Sequence, residues 1–64
     1  MESARRAVRA SDHDRQAVFR RLQRAVGEGR LTLVEFEERT AGALAARTRG
    51  ELDDLTGDLP PDLW

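Results

Sequence analysis

The stretch from Gly27 to Thr48, GEGRLTLVEFEERTAGALAART, constrains this chain more than any other. It runs from a glycine-broken turn into a helix start and then into an amphipathic helix. Thr32 stands at the start and Glu35 follows three residues later. At that spacing the threonine hydroxyl can accept the backbone N–H of Glu35, while the glutamate reaches back to the N–H of Thr32. Leu31 precedes the cap and Phe36 lies one turn inside it, the spacing of a hydrophobic staple. The turn Gly27-Glu28-Gly29-Arg30 is short, so the preceding helix must fold back almost antiparallel.

The same start signal occurs twice more, at Ser11 with Asp14 and at Thr48 with Glu51. After Ser11, the residues Val18, Phe19, Leu22, Ala25 and Val26 share one face of a helix over about 12–26. Leu33, Phe36, Thr40, Ala43, Leu44 and Arg47 define one face of a second, over about 33–47. Leu52, Leu55 and Leu59 mark a short third helix over about 49–57, weakened by Gly57 and ended by Pro60-Pro61. The expected fold is all-α: a helical hairpin with a short third helix closing its open side. Residues 1–10 read as a flexible or frayed basic lead, 11–59 as the helical domain and 60–64 as a tail. In that tail Trp64 either folds back on the core or stays exposed.

The residues expected to make the core and caps are Ser11, Asp14, Val18, Phe19, Leu22, Val26, Leu31, Thr32, Leu33, Glu35, Phe36, Leu44, Thr48, Glu51, Leu52 and Leu55. If Phe36 is central, truncating it to Ala should cost ~3–5 kcal/mol. Gly42, among Ala41, Ala43, Ala45 and Ala46, offers a smooth surface that another helix could approach closely.

A chain of 64 residues makes one domain and buries a small fraction of its surface. It has no cysteine, so neither a disulfide nor a thiolate metal site can reinforce it. Help from a partner, or from a second copy, would suit it. The charge points the same way. Residues 1–30 carry eight arginines against four acids, and residues 31–64 carry three arginines against eight acids. These balances, +4 and −5, give the net −1 and favour contact between opposite halves, within one chain or between copies. All eleven basic residues are arginine, which fits GC-rich bacterial coding and weakens arginine content as a sign of nucleic-acid binding. No apolar run approaches the ~20 residues of a membrane span. No apolar core of a secretory signal appears near the N-terminus, so a cytoplasmic location is expected.

The sequence carries no catalytic set. Gly29 to Phe36 imitates the second half of a calcium-binding loop, with Glu35 at the bidentate position. The oxygen positions of the first half fall on Arg24, Val26 and Glu28, and two of these cannot serve. A helix-turn-helix reader would present Glu37 and Glu38 to phosphate. His13 is the lone histidine and has no cysteine or second histidine to share a metal. The serines and threonines have only His13 as a candidate base. No enzyme activity, cofactor or metal is therefore expected.

Three motifs in order resemble a known family. They are R-A-S-D-x-D-R at Arg9 to Arg15, G-R-L-T-x-x-E-F-x-E-R at Gly29 to Arg39, and A-x-x-A-R-T-x-x-E-L-x-x-L-x-x-D-L-P at Ala43 to Pro60. Together they resemble the actinobacterial SHOCT-like domain of unknown function over about residues 8–60. The resemblance implies a short helical domain, commonly leading bacterial proteins that continue into membrane-spanning or other segments. It supplies no activity and no catalytic residues. The function expected is a non-enzymatic interaction or oligomerisation module, regulatory or tethering for a membrane-associated system, with a protein partner or itself as the binding partner. The alternative is weak nucleic-acid binding through Arg5, Arg6, Arg9, Arg20, Arg21 and Arg24.

Overall fold

Among the described residues, three of the four helices begin where a hydroxyl residue is answered three positions on. A computed structural model describes the backbone of residues 2–61 and the side chains from Arg5 onward. The tail residues Asp62, Leu63 and Trp64 lie outside the described residues. The helices are α1 (Glu2–Ala7), α2 (Asp12–Gly27), α3 (Leu33–Ala45) and α4 (Arg49–Asp54). The described residues contain no strand, so the fold is all-α. Helix α2 begins with a complete capping box, in which the Ser11 hydroxyl accepts the Asp14 N–H at 3.0 Å and Asp14 accepts the Ser11 N–H at 3.0 Å. Thr32 and Glu35 do the same for α3 at 3.1 and 2.8 Å, and Thr48 and Glu51 for α4 at 3.2 and 3.0 Å, in the same order.

Helix α2 ends in a paired closure. The Arg30 N–H donates to the Ala25 carbonyl at 2.8 Å, and the Gly29 N–H donates to Val26 at 3.0 Å. That pattern requires a left-handed residue between helix and turn, and Gly29 supplies it with φ +75°. The chain then reverses and α3 packs along α2.

Helix α3 stops at Ala45, two residues short of the expected end, because the chain beyond it is used elsewhere. Ala46 is extended, at φ −63° and ψ 138°. The next residues join the segment before α2: the Ala10 N–H donates to Arg47 at 3.0 Å, and the Arg49 N–H donates to Val8 at 2.8 Å. This single antiparallel bridge between Arg9 and Thr48 ties the α1–α2 link to the α3–α4 link. Helix α4 likewise ends at Asp54 rather than near 57. Its carbonyls pass into tight turns, with Leu55 N–H to Leu52, Thr56 N–H to Asp53 and Leu59 N–H to Thr56.

The lead segment carries α1, which lies on α4. The approach is close enough to need a glycine. A Cβ at Gly50 would stand 2.8 Å from Cβ of Arg6.

The core is small and partly built of alanine: Val18, Leu22, Ala25, Leu31, Ala43, Ala46 and Leu52. Ala10, Phe19, Val26, Phe36, Leu55 and Leu59 pack partly buried around it. Two expected core residues, Leu33 and Leu44, are instead exposed by 64% and 66%. The buried stripe of α3 is rotated away from them onto Ala43, continued by Ala46 just past the helix end, with Phe36 partly buried on the same side. At about 100° per residue, Ala43 inside carries its neighbour Leu44 round toward solvent. The expected smooth surface is also used internally. A Cβ at Gly42 would meet Cδ2 of Leu55 at 3.0 Å, and Ala43 is wholly buried.

Leu22 and Leu52 are the largest fully buried side chains, so truncation is felt most there. Leu22→Ala should lower stability by about 2–5 kcal/mol, and Phe36→Ala by less, because its ring is only partly buried. Urea midpoints at unchanged slope measure the difference.

Candidate functional site

The chain's features of functional interest are an apolar helix face and an arginine cleft, set by what the fold consumes. Helix α3 turns Leu33, Val34 and Leu44 outward, exposed by 64%, 63% and 66%. At about 100° per residue they fall within one broad face, which also holds exposed Glu37, Glu38, Ala41 and Ala45. The result is an apolar stripe crossed by two carboxylates. Val34 was not anticipated as a surface anchor; its position beside Leu33 at the helix start was the available signal.

Arginines are spent unequally. Arg15 donates to the carbonyls of Ala43 and Ala46 at 3.0 and 2.7 Å, closing the end of α3. Arg39 donates to the Leu55 carbonyl at 3.0 Å and grips Asp58 with both terminal nitrogens at 2.6 and 2.9 Å. Arg21 donates to the Thr56 hydroxyl and the Pro60 carbonyl, each at 3.0 Å, and so pins the C-terminal turns on α2. Its buried Nε has no hydrogen-bond partner among the described residues. Of the six candidate nucleic-acid contacts, Arg21 is therefore engaged within the fold, and Arg6 pairs with Asp54 at 3.0 Å. Arg5, Arg9 and Arg20 are exposed, and Arg24 is partly buried. Arg49 reaches Asp14 at 3.1 Å, an α2–α4 link that the sequence did not reveal.

Several of these arginines meet around one cleft of about 350 Å³ between α1, α2 and α4, lined by Arg5, Arg6, Arg21 and Arg49 with Asp14 and Asp53.

The carboxylates of the caps and pairs are held ionised. The Ser11 N–H, followed by Arg49, lowers Asp14 from 3.8 to about 2. Glu35 is lowered by the Thr32 N–H, and Glu51 by the N–H groups of Arg47 and Thr48. Arg6 lowers Asp54 and Arg39 lowers Asp58, while Asp58 raises Arg39 in return. Each shift leads away from neutral pH, so these groups serve as fixed charges and acceptors rather than as proton carriers. Glu35, at the position of a bidentate calcium ligand, is committed to its cap.

Lowered carboxylates stabilise the fold above their unfolded pKa and lose that contribution as pH falls through the folded one. Stability should therefore decline from about pH 4.5, where unfolded Glu35 and Glu51 titrate, down toward about 2, where folded Asp14 does. Asp14→Asn should flatten the lower part of this acid limb in urea midpoints recorded from pH 6 to 2.

No helix among the described residues is long and apolar enough to cross a membrane. The family model of the DUF1707 SHOCT-like domain matches residues 8–60. The uncharacterized protein Rv0966c of Mycobacterium tuberculosis H37Rv is 48% identical over 54 residues, covering 84% of this chain and 27% of that protein. The uncharacterized protein Rv0048c of the same strain is 43% identical over 53 residues, covering 83% of this chain and 18% of that protein. This chain thus spans about a quarter or less of the length of these relatives. No solved structure matches it significantly.

Proposed function

This chain belongs to the DUF1707 SHOCT-like domain family, and we propose that it works as a non-enzymatic, cytoplasmic module for protein–protein interaction or oligomerisation. The observation that carries the reading is the outer face of α3. Leu33, Val34 and Leu44 are more than half exposed on one helix face, while the core makes do with Ala25, Ala43 and Ala46. Leu33 and Val34 adjoin at the helix start and Leu44 lies about 16 Å along the same face; exposed apolar side chains gathered on one face and rimmed by charge mark sites of association. Scattered single leucines would carry no such meaning. Glu37 and Glu38 on the same face give a partner's arginines or lysines a means to set register.

The five ionised carboxylates described above serve caps and arginine pairs, which supports a scaffold rather than a catalyst. The relatives are three or more times longer than the matched region. A tethering or regulatory role for a membrane-associated system suits a domain that forms one part of larger proteins.

The double variant Leu33→Ser/Leu44→Ser tests this. Both side chains are exposed, so the melting temperature should stay close to that of the parent. Self-association in sedimentation, or cross-linking to a partner in the source cells, should fall to background. A parent that stays monomeric over a wide concentration range and cross-links as the variant does would remove the reading.

The exposed Arg5, Arg9 and Arg20 favour the second reading, weak nucleic-acid binding. It predicts an anisotropy change with duplex DNA or RNA at low salt that fades steeply as salt rises. A flat titration at low salt eliminates it.

A further inference from the structure

The arginine cleft lies apart from the outer face of α3, and no α3 residue lines it. We propose that it is a binding site for a compact oligophosphate, of the chemical class of pyrophosphate and the nucleoside di- and triphosphates. Four arginines from three helices line one concavity, against two aspartates, with the Arg21 donors turned to Thr56 and Pro60. That local balance of +2 sits in a chain whose net charge is −1. Guanidinium is suited to the task, because its planar fork binds phosphate oxygens in pairs. At about 350 Å³ the cleft lies at the lower end of small-ligand sites.

The fold orients most of these arginines before any ligand arrives. Arg49 is steered by Asp14, whose carboxylate also accepts the Ser11 N–H and so remains anchored if Arg49 turns to a ligand. Arg21 is fixed by Thr56 and Pro60. Arg6 crosses the face of Gly50, where an added Cβ would stand 2.8 Å from its Cβ and 3.0 Å from its Cζ. Arg5 is exposed, and among the described residues its side chain makes no hydrogen bond or ion pair. Preorganised donors of this kind lose little entropy when the anion binds. A compact anion fits better than a long polyanion, because Asp53 lines the cleft and Asp54 adjoins it through Arg6. Successive phosphates of a duplex would meet these acids.

The test is titration of the chain with sodium pyrophosphate at constant ionic strength, followed by thermal shift and by amide chemical shifts. Saturable binding with Kd below about 1 mM is expected, with shifts concentrated at residues 5–6, 14–21 and 49–53. Arg5→Ala and Arg49→Ala should each weaken binding by about tenfold or more. Arg5→Lys should restore only part of it. Gly50→Ala removes no charge but displaces Arg6, and should weaken binding too. Arg20→Ala, outside the cleft, should leave affinity unchanged. The proposal fails if pyrophosphate gives no saturable response. It also fails if Arg20→Ala weakens binding as much as Arg5→Ala, which would mean diffuse attraction, or if a DNA duplex of about 20 base pairs binds while pyrophosphate does not.

Discussion

The ends of short helices are the governing problem of this protein. Each helix leaves about four carbonyls without an internal donor, and α4 has only six residues. A chain with so little interior cannot bury those carbonyls unpaired. Arginines answer them from a distance. Arg15 closes α3, Arg39 takes the first carbonyl past α4, and Arg21 holds the turns that follow. Each side chain lays its apolar stem along the packed surface and delivers several donors at its end. With the backbone bridge between Arg9 and Thr48, these contacts join segments that the small core alone would hold weakly.

Close approach has a consequence for where the large side chains go. Alanine at positions 25, 43 and 46 forms much of the interior and lets the helices draw near. Leu33 and Leu44 are then left outside, although the inward pattern of the helix could have accommodated them. The same packing makes a tight interior and an apolar exterior face. The exposed face of α3 that we propose for interaction is thus tied to the way the fold is stabilised. The arginine cleft has a related origin, since α1 can settle on α4 only across Gly50, bringing Arg5 and Arg6 toward Arg49.

Similarity to longer mycobacterial proteins fits this economy. A helical unit that leaves one apolar face and one basic cleft available is suited to work within a larger protein. Charge is sorted along the chain, but much of it is spent inside. Asp14 pairs with Arg49 and Asp54 with Arg6, so the basic and acidic halves are stitched together, while Asp58 and Arg39 pair within the acidic half.

What the sequence determined by itself was local. The three capping boxes close between residues three apart, and the turn after α2 needs only one left-handed glycine, Gly29. Such interactions can be read from spacing because both partners lie within one turn of chain. The helix starts, the hairpin and the all-α class follow from them. The tertiary structure alone decided which face of α3 is buried, because an alanine and a leucine one position apart compete for the same contact and interhelical distance settles it. It also decided which arginines are structural. Their acceptors lie 16 to 39 residues away and are mostly backbone carbonyls, which carry no mark in the sequence. For the same reason the cleft was not legible: it exists only where three helices meet.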